Sequence, residues 1–248
     1  MKGEPHPGWI VPDWPAPRRV RALITTRAGG VSSEKFSSLN LGMRVGDEPE
    51  RVARNRAVLE ACLPARPLWM KQVHGTAVVE AAGAAAGVEA DGAFTRVESA
   101  VCAILTADCL PVLVCDRAGT AVGIVHAGWR GLAAGIIENV VAAIRVSAPE
   151  LIAYLGPGIG PGAYEVGDDV RRAFVAASPG AERAFAPRGN GKFLADLYAL
   201  ARQRLAAAGV GAVYGGGYCT LSEERFFSFR RDGITGRMAS LIWLDADR

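Results

Sequence analysis

The chain has only three histidines, and two of them stand where an apolar run gives way to a break: His74 in KQVHG and His126 in IVHAGWRG. Cys109 in TADCLP occupies the same kind of position. Strand ends and the loops beyond them are where a rigid scaffold offers side chains to a cleft. Two imidazoles and a thiolate suit zinc, and three protein ligands leave a fourth position for water or substrate, the mark of a catalytic rather than a structural ion. A water held there loses its proton more readily and becomes a nucleophile at neutral pH. His74 and Cys109 are 35 residues apart and Cys109 and His126 are 17 apart, so no local rule brings them together. Two other readings of the same residues stay open. Cys109 and a histidine form a nucleophile–base pair, with Asp108 beside the thiol to orient it. Alternatively, all three are core residues with satisfied polar atoms.

Cations recur near glycine and aromatic residues. Arg130 in GWRG stands at the entrance of a predicted helix, where free N–H groups favour an anion. FFSFRRDGITGRM brings Arg230, Arg231 and Arg237 near Phe227 and Phe229. Guanidinium forks suit phosphate, and aromatic faces suit planar bases. Arg27, Arg44 and Lys71 are further loop or glycine-adjacent cations. A solvated hairpin tip or a capped surface turn accounts for each of them equally well. LGPGIGPGAYEVG, residues 155–167, is a second glycine-rich turn before a helix, but it lacks the Gly-Lys-Ser/Thr ending of a phosphate-binding P-loop.

The elements that must position these groups alternate without a regular βαβ repeat. Strands are predicted over 19–27, in two pieces over 68–81, in two pieces over 92–116, and over 120–128, 151–160 and 210–219. Helices are predicted over 49–63, 130–149, 164–177 and 190–209, and a glycine-linked strand pair over 226–244. The C-terminal pair and the strands between 68 and 115 read as antiparallel. This favours a mixed α/β layered domain over a doubly wound parallel one. Residues 1–18 read as an extended, proline-dotted arm and residues 19–248 as a single domain.

Composition sets the outer bounds. Half of the 248 residues are apolar, which supports a sizeable core and argues against disorder. The net charge of +3 lacks the concentrated basic face of a nucleic-acid binder. MKGEPHPGWIVPDWP has no apolar core of a signal peptide, and Asp108 and Pro111 interrupt the longest apolar run below membrane-spanning length. Five cysteines, an odd number without scaffold spacing, point to a reducing cytoplasm rather than to disulfides. Cys62, Cys102 and Cys115 lie in apolar periodic segments and read as core.

TTRAGGVS, SSLNLGMRVGD, KQVHG, ADGAFT, TADCLPVLVCD, VHAGWRG, LGPGIGPGAYEVG, FLADLYALARQRL and FFSFRRDGITGRMASLIWL follow one another along the chain. In that order they resemble the YfiH-type laccase-domain family, also catalogued as polyphenol oxidase and as purine nucleoside phosphorylase. The resemblance runs from about IVPDWP to the C-terminus. It implies a layered α-β-β-α fold like the catalytic domain of cytotoxic necrotizing factor. It implies zinc held by His74, Cys109 and His126, with copper as the alternative metal. It also implies phosphate-dependent cleavage of adenosine, inosine and methylthioadenosine, deamination of adenosine, and a link to the editing of peptidoglycan precursors. A nucleoside and phosphate are then the partners, with no nucleic acid and no membrane, and the protein is a monomer or weak homodimer. Phosphorolysis needs cations for the anion, and Arg27, Arg44, Lys71, Arg130 and Arg230 form that pool. Ser38 and Asn40 in SLNLG are candidates for the sugar hydroxyls. Asp108 and Glu165, with Cys109, are the candidates for catalytic groups. A four-copper laccase is excluded on composition, because coupled blue and trinuclear copper centres demand many more histidines than three.

Overall fold

LPVLVC is apolar throughout because its strand is covered on both faces. In the computed structural model, which describes residues 3–246, this segment is the centre of a six-stranded sheet. The first two residues of the expected arm and the last two of the domain lie outside the described residues. The six-stranded sheet comprises β2 (Val78–Glu80), β3 (Gly92–Thr95), β5 (Leu110–Asp116), β6 (Val122–Ala127), β7 (Leu151–Leu155) and β11 (Ala212–Gly215). Its spatial order is β11-β7-β5-β6-β3-β2. A three-stranded antiparallel sheet, in the order β1-β12-β4, combines β1 (Val20–Ile24), β4 (Cys102–Thr106) and β12 (Met238–Leu244). A small flanking sheet holds β8 (Glu165–Gly167), β9 (Phe185–Gly189) and β10 (Lys192–Ala195).

The two-residue period of each strand sorts its side chains into layers. Leu113 and Cys115 on β5, Ile124 on β6, Ile104 on β4 and Ile242 on β12 fill the space between the two sheets. Val112 and Val114 face the other way, onto α3 (Ile136–Ile144) and α5 (Leu197–Ala207). On the outer face of the three-stranded sheet, Leu23, Leu241 and Trp243 pack with Leu59 of α1 (Pro49–Glu60). The layers are therefore α-β-β-α, the mixed α/β single-domain architecture expected from the sequence. No helix among the described residues is long and apolar enough to cross a membrane.

Several local expectations change. β2 pairs with β3 in parallel rather than antiparallel fashion. The helix expected over 130–149 breaks at Gly135, whose φ of 101° ends α2 (Trp129–Ala134) before α3 begins. The segment 190–209 opens with β10, because Asp196 starts α5 only at Leu197 by accepting the Ala199 N–H at 2.9 Å. In the same way 164–177 opens with β8 before α4 (Asp168–Ala177). The expected C-terminal hairpin is a buried Phe226-Phe227 pair, a short α6 (Phe229–Asp232) capped by Ser228, and β12 alone. The amino-terminal arm is packed: Ile10 and Ile24 exchange backbone hydrogen bonds of 2.8 and 2.9 Å along the edge of β1, a cover that blunts an open sheet edge.

β4 and β5 belong to different sheets, so the chain crosses between sheets at residues 107–109. β5 and β6 are antiparallel, with Leu110 opposite Ala127 and Pro111 opposite His126. Crossover and register together bring the end of β6 beside the start of β5. Leu113→Ala, which opens a cavity between the sheets, is expected to cost about 2–5 kcal/mol. Urea unfolding followed by circular dichroism measures it, and a loss below about 1 kcal/mol would contradict close inter-sheet packing.

Candidate metal centre

Asp91 is the point from which this site is built. It is fully buried, and its carboxylate accepts hydrogen bonds from the N–H groups of Val73 at 3.1 Å, His74 at 3.0 Å and Gly75 at 2.7 Å. It also bonds His126 Nδ1 at 2.8 Å. Burial pushes its pKa up, but the His126 bond and the backbone donors outweigh burial and hold the carboxyl below its usual range. One charged side chain therefore shapes the loop that carries one histidine and orients the ring of another.

His74 has φ of 60°, an uncommon backbone state for a non-glycine residue, and the three amides on Asp91 hold it there. Asp108, with φ of 80°, turns the chain at the crossover so that Cys109 heads β5. The donor atoms of His74, Cys109 and His126 all lie within 4.8 Å of one another. Cys109 Sγ is 3.9 Å from His74 Nε2, and the two imidazole rings are 4.7 Å apart. Gly128 makes room for this convergence: a Cβ there would sit 2.9 Å from His74 Cδ2 and 3.1 Å from Cys109 Sγ. Burial raises the Cys109 pKa, but the charge of His126 and hydrogen bonds from both histidines reverse this and set it at about 6. The same thiolate and Asp91 raise His126 against the effect of burial. A thiolate and two imidazoles, one backed by a buried carboxylate, are the donor set of a transition-metal site with an outer shell in place.

The cluster opens into a cleft of about 880 Å³. Asp108, Arg44, Lys71, Arg130 and Arg230, all named from the sequence, line it. Asp108 is already committed: Thr220 Oγ1 donates to one oxygen at 2.6 Å and the Arg230 N–H to the other at 2.7 Å. Four expected residues do not line the cleft. Arg27 lies over the Phe227 ring and donates to the Ser37 carbonyl at 2.7 Å. Ser38 Oγ accepts from Gly30 N and donates to the Arg27 carbonyl. Asn40 is fully buried and binds the N–H groups of Gly42 and Arg237. Glu165 is exposed, pairs with Arg188 at 3.0 Å, and meets Arg230 only through its backbone carbonyl. These contacts shape loops around the cleft rather than reach into it. In return the cleft gains Tyr164 and Trp129, which are not among the expected site residues, and Arg237, noted in the sequence as a cation beside aromatic residues but left out of the phosphate pool. Of the other cysteines, Cys102 and Cys115 are buried and Cys62 is half-buried, and all five thiols are free.

The sequence matches, over residues 21–245, the family described as multi-copper polyphenol oxidoreductase laccase. The chain belongs to this YfiH-type laccase-domain family. It is 55% identical over 238 residues to a Pseudomonas aeruginosa protein named purine nucleoside phosphorylase, covering 95% of this chain and 98% of that one. It is 52% identical over 239 residues to Escherichia coli purine nucleoside phosphorylase YfiH, at 95% and 98% coverage. Among solved structures it resembles Neisseria meningitidis protein NMB0706, with 55% identity, a TM-score of 0.93, and 96% and 100% of the two chains covered. It also resembles YlmD from Geobacillus stearothermophilus, with 32% identity, a TM-score of 0.91 and 98% of each chain covered. The family description speaks of several coppers, whereas the described residues hold one cluster of metal-binding type with two histidines.

Two variants test the assembly. Asp91→Asn is expected to weaken metal binding by about 10–100-fold, since it removes the charge that orients His126. Gly128→Ala, at an ordinary φ of −65°, is expected to weaken it by crowding alone. Chelator competition on folded protein measures both, and wild-type affinity in either variant would contradict the role assigned to that residue.

Proposed function

We propose that the chain is a zinc-dependent purine nucleoside phosphorylase, acting on adenosine, inosine and methylthioadenosine, that also deaminates adenosine. The observation that carries this reading is a His-Cys-His cluster at the wall of a cation-lined cleft, in a family whose near relatives are named purine nucleoside phosphorylase. His74, Cys109 and His126 would hold the ion. When bound, it supplies Lewis acidity at the cleft wall.

In phosphorolysis a phosphate oxygen bonds to the sugar's anomeric carbon while the carbon–nitrogen bond breaks, its electrons passing to the departing base, which must gain a proton. Arg130, Arg230 and Arg237 are the groups placed to hold the phosphate. Arg130 rests on the Trp129 ring, 4.5 Å from its centre, and Arg230 on Tyr164 at 5.2 Å. Arg237 is fixed by the carbonyls of Thr235 and Gly236, each at 2.9 Å. Stacked or clamped guanidinium groups lose little further freedom when they bind an anion. Burial, aided by the nearby Cys109, pushes the Tyr164 hydroxyl up to about 12, so it is a neutral hydrogen-bond donor in the cleft. In this reading the ligands are a nucleoside and inorganic phosphate, and the protein is a cytoplasmic monomer or weak homodimer.

Zinc-loaded protein, given adenosine, inosine or methylthioadenosine, is expected to release free base and sugar phosphate only when phosphate is present. Cys109→Ala is expected to lose metal and at least about 100-fold of this activity. Product identification with metal analysis on the same sample decides it. Full activity in metal-free Cys109→Ala would remove the ion from the reaction. Phosphate-independent cleavage of a peptidoglycan precursor in its place would make the protein an editing hydrolase.

A further inference from the structure

The cleft is far more cationic than the chain as a whole. Its described lining includes seven lysines and arginines but one carboxylate, Asp108, in a protein of net charge +3. Both oxygens of that carboxylate are already occupied. The cations fall into two groups. Arg130 stacks on Trp129 just beyond the His126 strand, Arg230 stacks on Tyr164 and donates its N–H to Asp108 beside Cys109, and Arg237 is clamped at the entrance of β12, so these three are grouped with the metal centre. The other four are Arg44, Arg56 on α1, Arg66 just beyond it, and Lys71.

The second group carries more positive charge than its neighbours cancel. Lys71 pairs with Glu89, and Arg66 lies 3.5 Å from Glu60. These two acids offset two of the four charges. Arg56 has no carboxylate within ion-pair distance among the described residues. Its guanidinium rests 4.3 Å from the centre of the Trp69 ring and donates Nε and Nη2 to one acceptor, the Leu41 carbonyl, at 3.0 and 2.9 Å. Burial depresses its pKa, and the neighbouring Arg66 adds to this against the pull of Glu60. A partly buried cation is ordinarily matched by an anion. Here the fold supplies the clamp, and among the described residues no carboxylate sits in contact with the guanidinium. At about 880 Å³ the cleft is near the top of the range for pockets that hold drug-sized ligands. It has room for a group beyond a nucleoside and one phosphate.

We propose that Arg44, Arg56, Arg66 and Lys71 form a second anion subsite, which takes a phosphate carried by the substrate itself. The cleft then prefers a purine nucleotide to the bare nucleoside. The proposal rests on the purine reading above. Arginine forks bind phosphate oxygens in bidentate fashion, and a charge-assisted pair supplies the discrimination.

Calorimetric titration of zinc-loaded protein in phosphate-free, low-salt buffer tests it, with adenosine, AMP and ADP each supplied as the 7-deaza analogue so that neither deamination nor phosphorolysis consumes it. AMP is expected to bind at least about 10-fold more tightly than adenosine, with ADP no weaker than AMP. That ratio is expected to fall below about threefold in Arg66→Glu, and in wild type as salt is raised. Arg66 is 78% exposed, so the change tests charge rather than packing, and a thermal melt checks the fold. Arg66→Gln provides a milder second variant and is expected to give an intermediate ratio. Equal affinities for adenosine and AMP, or an AMP preference that survives Arg66→Glu, would overturn the subsite. If inorganic phosphate tightens adenosine binding by the same factor and Arg66→Glu abolishes this, the subsite holds free phosphate and the nucleotide assignment falls. Adenosine phosphorolysis together with equal affinities would remove the subsite alone. Absence of any purine binding to folded, metal-loaded protein would remove the purine reading with it.

Discussion

A single buried carboxylate holds the site together. Asp91 gathers three consecutive amides from the His74 loop and the Nδ1 edge of His126, and so ties a segment outside the six-stranded sheet to one inside it. An unmatched charge in this position would be costly, because the surroundings are dry. Four donors offset that cost, and three of them fix consecutive amides of the loop. The Asp91 carbonyl also accepts the His126 N–H at 2.7 Å, so backbone and side chain of the same residue meet the same histidine. Without this charge the His74 loop would lose the reason for its left-handed turn, and His126 would lose the partner that settles its ring.

The remaining ligand depends on topology rather than on hydrogen bonding. Cys109 lies where the chain leaves one sheet and enters the other, a place that exists only because β4 and β5 have different partners. Its neighbour Asp108 accepts from Thr220 and from the start of α6. The Asp108 carbonyl accepts the Ile159 N–H at 2.8 Å. Three remote segments thus brace Asp108, the residue before Cys109. This accounts for the glycine-rich stretch at 155–160: it is a brace against the crossover, with Gly158 N also bonded to the Tyr198 hydroxyl at 2.9 Å.

Much of this was legible in the chain, and the parts that were not share a cause. His74, Cys109 and His126 stand out because few residue types bind transition metals and each sits beside a break. The layered α/β class follows from strands and helices that alternate without a regular βαβ repeat. Asp91 was hidden because Asp-Gly ahead of a strand is an ordinary turn signal, and burial of a carboxylate leaves no local pattern. Arg237 was visible as a cation but not assignable, because nothing in GITGRM separates a clamped cleft arginine from a hairpin tip. The misjudged elements have the same origin: Gly135 looks tolerable inside a helix until its φ is seen, and FFSFRR alternates like a strand although both phenylalanines at 226 and 227 turn inward. Ser38 and Asn40 are the converse. Small polar residues in a glycine-bearing loop look like ligands for a sugar, yet here they spend their hydrogen bonds on the loop itself.

The pairing of β5 with β6 carries a rule about tolerated change. His126 sits opposite Pro111, on the face that looks into the space between the sheets. Shifting either strand by one position would turn the imidazole to the helix side and strand it in hydrocarbon. The turn at the other end of the pair guards this phase, because the Asp116 carboxylate accepts the N–H groups of Thr120 at 2.7 Å and Ala121 at 2.8 Å and so fixes the length of the connection. Length variation among descendants of this chain should therefore spare both strands and the turn that joins them.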